Sequence, residues 1–185
     1  MGVISDEESI AEYVRTRDGD RLGEVFQRHV PRVRAMVFQL VLDDHLADDV
    51  TQEVFLRAWR NLDRFRRGSK FSTWLYRIAV NTARDTLADR RRDCSRMQIQ
   101  RDDVESASPA AGPERLVLST ELQGQIEAAL GELPATWREA IVLTVLQELD
   151  GKTAAEIAGC TRATLYWRVH RARGFLERRL GNYLQ

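Results

Sequence analysis

Within residues 63–72 the chain sets two rings among four cations: Phe65 and Phe71 interleave with Arg64, Arg66, Arg67 and Lys70 around Gly68. Cations suit phosphates, aromatic rings suit unstacked bases, and a Gly/Ser turn lets both reach one strand. Downstream, Trp74, Arg77, Asn81 and Arg84 recur at three- and four-residue spacing, so a helix would carry the same chemistry onward as a stripe. Upstream, Asp48, Asp49, Gln52 and Glu53 gather with Leu56 among them. A leucine amid carboxylates fits a face meant for a partner, although a lone exposed leucine is also ordinary. A third set lies near the end of the chain, where Trp167, His170 and Arg171 are flanked by Arg162, Arg168 and Arg173.

These residues need helices to hold them. Ala47, Val50, Val54 and Ala58 make a buried stripe opposite the acidic face. Leu75, Ile78, Ala79 and Thr82 do the same behind the Trp74 stripe. Before them, Ser5 with Glu8 forms a capping box for a first helix whose apolar side is Ile10, Tyr13 and Val14. A longer helix over about 20–42 follows, with Pro31 expected to kink it, and His29 is expected at its surface with no partner of note. Residues 1–92 therefore read as a bundle of about four helices.

Residues 93–118 lose apolar periodicity and gather Ser106, Ser108, Pro109, Gly112 and Pro113, the composition of a flexible linker. Helix resumes over 114–130 with Leu116, Leu118, Leu122, Ile126, Ala129 and Leu130 inward, and a next helix turns Trp137, Ile141, Val142, Val145 and Leu146 to the core. A short helix with Ala154, Ile157 and Ala158 inward ends at Gly159; either Asp150 or Thr153 could cap it. Thr161 then caps a long helix with Leu165, Val169, Ala172 and Leu176 facing the core. A short helix, a tight turn and a second helix with arginines outward is helix-turn-helix logic. The expected fold class is all-α, two small helical domains joined by a flexible linker, over residues 1–93, 94–113 and 114–185.

The formal net charge of the 185 residues is zero, but the charges come in blocks. Residues 1–56 carry 6 arginines against 12 acids, net −6, and residues 57–92 carry 11 cations against 3 acids, net +8. Residues 93–161 carry 5 against 12, net −7, and residues 162–185 carry 6 against 1, net +5. Two basic islands fit nucleic acid better than a uniformly neutral surface would. No apolar run approaches the ~20 residues of a membrane span. Cys94 and Cys160 give neither a disulfide framework nor a metal set. The three histidines are scattered and no Gly-rich phosphate loop follows a strand. Neither catalysis nor a cofactor or metal is expected, and the setting expected is cytoplasmic.

Residues 48–59 (DDVTQEVFLRAW), 65–68 (FRRG) and 71–81 (FSTWLYRIAVN) resemble the second conserved region of the extracytoplasmic-function (group IV) sigma factors of bacterial RNA polymerase. Leu133-Pro134 before a helix, and residues 164–173 (TLYWRVHRAR), resemble the fourth region of the same family. Two departures stand out: Tyr166-Trp167 where a basic residue and a serine are common, and Asp150-Gly151 where an aliphatic-Ser-Tyr entry is usual.

The resemblance implies a specificity subunit. Asp48, Asp49, Gln52, Glu53 and Leu56 would dock on core polymerase. Phe65, Arg66, Arg67, Ser69, Lys70, Phe71, Thr73, Trp74, Arg77 and Asn81 would hold the melted minus-ten strand. Thr161, Arg162, Thr164, Tyr166, Trp167, Arg168, His170, Arg171 and Arg173 would engage the duplex minus-thirty-five element. It also implies an anti-sigma factor as a further partner. The alternative is a two-domain helix-turn-helix regulator that does not act as a sigma subunit, which leaves the basic aromatic loop idle.

Overall fold

The computed structural model describes residues 5–65, 70–99 and 119–181, and these form helices without a strand among them. Helix α1 (Asp6–Thr16) starts on the expected capping box: Ser5 Oγ accepts from the Glu8 N–H at 3.2 Å, and the Ser5 N–H donates to Glu8 Oε2 at 3.0 Å. Helix α2 (Asp20–Val41) continues through Pro31 without interruption. Asp43 caps α3 (Asp44–Arg60), its carboxylate accepting the Leu46 N–H at 2.9 Å. A 3-10 turn (Leu62–Arg64) leads toward α4 (Phe71–Ile99), which runs past the expected end at Arg92. Of the expected linker, 94–99 is thus helical and 100–113 lies outside the described residues.

The first core forms where α2, α3 and α4 meet. Ala47, Val50, Val54 and Ala58 are buried as the stripe required, against Val25, Val33, Met36 and Val37 of α2 and Leu75, Ala79 and Thr82 of α4. Removing that much apolar surface from water is the main favourable term in holding such a bundle together. Val14, expected inward, is exposed, as is Val30. His29 is not a surface bystander: it is half-buried, with Nε2 2.7 Å from Asp6 Oδ2, tying α2 to α1.

The second group comprises α5 (Ser119–Glu132), α6 (Ala135–Ile141), a π-helical turn (Val142–Leu146), α7 (Gly151–Ala158) and α8 (Arg162–Leu180). Asp150 resolves the capping alternative: its carboxylate accepts the Lys152 N–H at 2.9 Å, the Thr153 N–H at 3.1 Å and the Thr153 hydroxyl at 2.6 Å. Gly159 ends α7 at φ 65°, a left-handed conformation that suits glycine. Leu165, Val169 and Ala172 are buried, and half-buried Cys160 packs against the core from the turn.

Four side chains expected inward are exposed: Leu122 and Ile126 on α5, Val145 and Leu146 on the π turn. Helix α5 is anchored at its C-terminal end, where Ala129, Leu130 and Leu133 are buried and Glu132 accepts from Arg179 Nε at 3.0 Å. The π turn widens the helix and rotates its last apolar residues off the core face.

The two groups pack on one another, α4 against α7 and α2 against α6 and the π turn. Arg84 of α4 reaches across: Nε donates to Glu139 Oε2 at 2.8 Å, and Nη2 donates to Glu139 Oε1 at 2.6 Å and to the Ala158 carbonyl at 2.8 Å. Arg32 of α2 donates to the side-chain oxygen and the carbonyl of Gln147 at 3.1 and 3.2 Å.

Candidate nucleic-acid interface

The outer face of α3 follows from its inner one. With Ala47, Val50, Val54 and Ala58 turned in, Asp48, Asp49, Gln52 and Leu56 are exposed, Leu56 at 39%, while Glu53 is half-buried. Two of the carboxylates already have partners. Arg34 Nε donates to Asp48 at 2.6 Å and Nη2 to Asp44 at 3.0 Å, and the Arg34 guanidinium holds the Asp48 carboxyl below the usual carboxylate range. Glu53 accepts from Arg57 at 2.7 Å, which also reaches Asp85 at 2.9 Å. Asp49 and Gln52 make no ion pair or side-chain hydrogen bond among the described residues, so they and Leu56 form the free part of the face.

Beside it runs a groove of about 840 Å³ between α2 and α3, floored by Leu22, Phe26, Val30, Phe55, Leu56 and Trp59. Trp59 is 51% exposed and donates through Nε1 to the Tyr13 hydroxyl at 3.0 Å. This groove did not show in the sequence, because Val30 and Trp59 fall on no polar stripe.

An aromatic floor lies beneath Phe65, after α3. Phe71 is fully buried, stacked parallel to Phe26 at 6.2 Å between centroids, edge-on to His29 at 5.3 Å, and its N–H donates to Glu7 at 2.9 Å. Phe71 therefore corrects the expectation that it meets a base: it is core. Phe65 sits over that floor, 5.7 Å from Phe71 and 5.4 Å from Trp74, and both Phe65 and Trp74 keep part of their surface in solvent. Arg66, Arg67 and Ser69 lie outside the described residues. Lys70, Arg77 and Asn81 are exposed, and Thr73 is half-buried. The fourth member of the Trp74 stripe, Arg84, is instead committed to Glu139.

On α8, Thr161 is a cap: its Oγ accepts the Thr164 N–H at 3.1 Å, and the two hydroxyls are 2.8 Å apart. Both threonines, expected on DNA, thus serve the helix start first. Arg162, Tyr166, Trp167, His170, Arg171 and Arg173 are exposed on one side. Trp137 of α6 meets Trp167 edge-on at 5.8 Å and 89°, and the Arg171 guanidinium stands 5.7 Å from the Trp167 ring. Arg168 departs from this group: it is half-buried and its charge acts on Glu139.

The electrostatics of the seam are set by burial. Glu139 is 4% exposed, and desolvation pushes its carboxyl up against the opposing pull of Arg84. Arg138 is buried beside it, its guanidinium pushed down by the same desolvation and by the charge of Arg91. Among the described residues no group of histidine, cysteine or carboxylate side chains could hold a metal, and no helix is long and apolar enough to cross a membrane.

Residues 25–93 match Sigma-70 region 2 and residues 123–176 match Sigma-70, region 4. The chain is 34% identical over 177 residues to the ECF RNA polymerase sigma-E factor of Escherichia coli strain K12, covering 92% of each chain. It is 31% identical over 173 residues to the ECF RNA polymerase sigma factor SigW of Bacillus subtilis, covering 90% of this chain and 92% of that one. Among solved structures it resembles the sigma factor RpoE of Bartonella quintana, determined with the anti-sigma factor NepR, with a TM-score of 0.68, 29% identity, and coverage of 86% of this chain and 96% of that one. The fold also matches CnrH, determined with the cytosolic domain of CnrY, with a TM-score of 0.70, 24% identity, and coverage of 97% and 99%. The chain belongs to the extracytoplasmic-function sigma factors, and its function is to direct RNA polymerase to promoters.

Proposed function

We propose that residues 1–93 dock on core polymerase and open the promoter, that residues 114–185 hold the upstream duplex, and that residues 94–113 link them. The docking face is Asp49, Gln52 and Leu56, with Asp48 and Glu53 held beside them by Arg34 and Arg57. The observation that carries this is the free edge of α3: a polar and apolar set without partners among the described residues, continuous with an apolar groove. In opening, Phe65 and Trp74 offer ring faces to unstacked bases. Lys70, Arg77 and Asn81 offer donors, joined by the Arg66, Arg67, Ser69 and Thr73 side chains.

Upstream, Arg171 and Trp167 read base edges in the major groove, while Arg162, His170, Arg173 and Tyr166 hold the backbone. The protein is a non-catalytic initiation factor working in the cytoplasm, with neither metal nor cofactor. An anti-sigma factor is its regulator, a reading supported by the similar sigma factor RpoE of Bartonella quintana, which was determined with the anti-sigma factor NepR. Reconstitution tests this reading: the purified chain should co-elute with core polymerase and confer promoter-specific transcription. A protein that binds duplex DNA yet never co-elutes with core would be the plain helix-turn-helix regulator instead.

A further inference from the structure

One side chain of α6 reaches the recognition face from outside the recognition helix. Trp137 lies in the first turn of α6, where its N–H donates to the Pro134 carbonyl at 2.8 Å. It is half-buried and packs against the core, so the indole is anchored while part of it stays at the surface. There it meets Trp167 of α8, with centroids 5.8 Å apart and planes at 89°, the T-shaped arrangement that ring quadrupoles favour. Trp167 is itself 51% exposed, and one turn along α8 the Arg171 guanidinium stands 5.7 Å from its ring, within cation–π range. Three side chains thus stand in series: a ring held by the core, a ring at the surface, and a charged fork resting on it. Neighbouring Tyr166 is engaged in another direction, its hydroxyl over Gly151 at the start of α7.

The series answers a difficulty of reading DNA with arginine. A surface arginine has several rotatable bonds, and ordering them on binding costs entropy that weakens the contact. A fixed ring beneath the guanidinium removes part of that cost in advance and leaves the in-plane donors of the fork free. The ring can do so only if it is fixed itself, and the contact from α6 is what fixes it. The chemistry also names the bases. A guanidinium fork fits O6 and N7 of guanine, and an apolar ring surface fits the 5-methyl group of thymine, both in the major groove. Side chains four residues apart share one face of a helix, so the two bases are close neighbours.

We propose that Trp137 is a positioning residue for upstream specificity: it holds the Trp167 ring, which carries Arg171, so that the pair reads a guanine beside a thymine. This deepens the duplex-reading role of α8 given above and rests on it.

The test presents the full chain, assembled with core polymerase, with a duplex library randomised over the upstream element. Affinities are then measured for the selected duplex and its single-base variants. Trp137→Phe keeps a ring at this position, whereas Trp137→Leu keeps apolar bulk without one. The Phe variant should retain the wild-type preference. The Leu variant should lose roughly two- to tenfold of its discrimination at the guanine, the range of an aromatic pair, while its binding to random duplex stays unchanged. Deoxyuridine in place of the adjacent thymine removes only the methyl group; it should weaken wild type by about fourfold and leave the Leu variant nearly indifferent. Wild-type discrimination in the Leu variant overturns the brace, and so does a loss that is equal for every sequence. Wild-type protein that ignores deoxyuridine at every thymine overturns the thymine contact, and this readout needs no variant to fold. Arg171→Ala tests the underlying role separately. A uniform loss removes the reading on which the proposal stands, whereas a relaxed preference with Arg171→Ala but not with Trp137→Leu removes the brace alone.

Discussion

Tyr166 lies directly over Gly151: a Cβ built on that glycine would stand 2.3 Å from the phenolic oxygen. The two positions that depart most from the family pattern thus form one contact. The second departure, Asp150-Gly151, supplies both the α7 cap and the space that the first, Tyr166-Trp167, requires.

Gly151 is the first residue of α7, where alanine is favoured over glycine by less than the about 1 kcal/mol of a helix interior. Gly151→Ala should nevertheless displace the Tyr166 ring and alter duplex binding in the wild-type background. In a Tyr166→Ala background the same change should raise stability by less than about 1 kcal/mol. A double-mutant cycle of thermal unfolding should yield a coupling of at least about 0.5 kcal/mol; additivity would dissolve the contact.

At the α3 face, Asp49→Arg with Gln52→Ala should abolish co-elution with core polymerase. The thermal midpoint should hardly move, because both side chains are exposed and oppose the buried stripe. Normal assembly by the double variant would place the docking surface elsewhere.

In the loop, the aromatic residues should separate into two behaviours. Phe71→Ala should cost about 3–5 kcal/mol of stability, as a fully buried ring does. Phe65→Ala and Trp74→Ala should keep a larger folded fraction and recruit polymerase to promoters but open them poorly. A template with a preformed bubble over the minus-ten element should restore transcription. A defect that persists undiminished on that template would exclude a role in opening.

Upstream, Arg171→Ala should weaken specific duplex binding by about 1–3 kcal/mol and relax preference at one base pair. A uniform loss across all sequences would make Arg171 a phosphate contact and leave base reading to Trp167.

Asp43 joins the start of α3 to α4, accepting the Leu46 N–H and the Arg90 guanidinium, each at 2.9 Å. These donors hold its carboxyl below the ordinary aspartate range, the Leu46 amide contributing most. A depressed carboxyl stabilises the fold above its unfolded value and loses that contribution as pH falls through the folded one. Asp43→Ala should therefore cost about 0.5–2 kcal/mol at neutral pH. The gap from wild type should close below the ordinary aspartate range; a gap that persists in acid would assign the cost to packing.

Features set by neighbours in the chain were legible before any coordinates. The Ser5 and Glu8 capping box, the α3 stripe, the Thr161 cap and the turn at Gly159 each need only a few consecutive residues. Features that depend on what packs opposite were not. Phe71 reads as a loop aromatic until Phe26 and His29 close over it. Leu122, Ile126, Val145 and Leu146 carry the period of buried residues but receive too little cover to be buried. Arg84 shares a stripe with Arg77 and Asn81, and only the approach of α6 gives it a carboxylate to hold. The site was legible in its residue types and not in which of them face one another.

Helix α4 is a single helix of 29 residues, and at 1.5 Å per residue it is a rod of about 43 Å. One end carries the aromatic loop and the other releases the chain into the segment that returns to α5. The second domain is thus tethered at the far tip of the rod while its grip, at Arg84, lies near the middle.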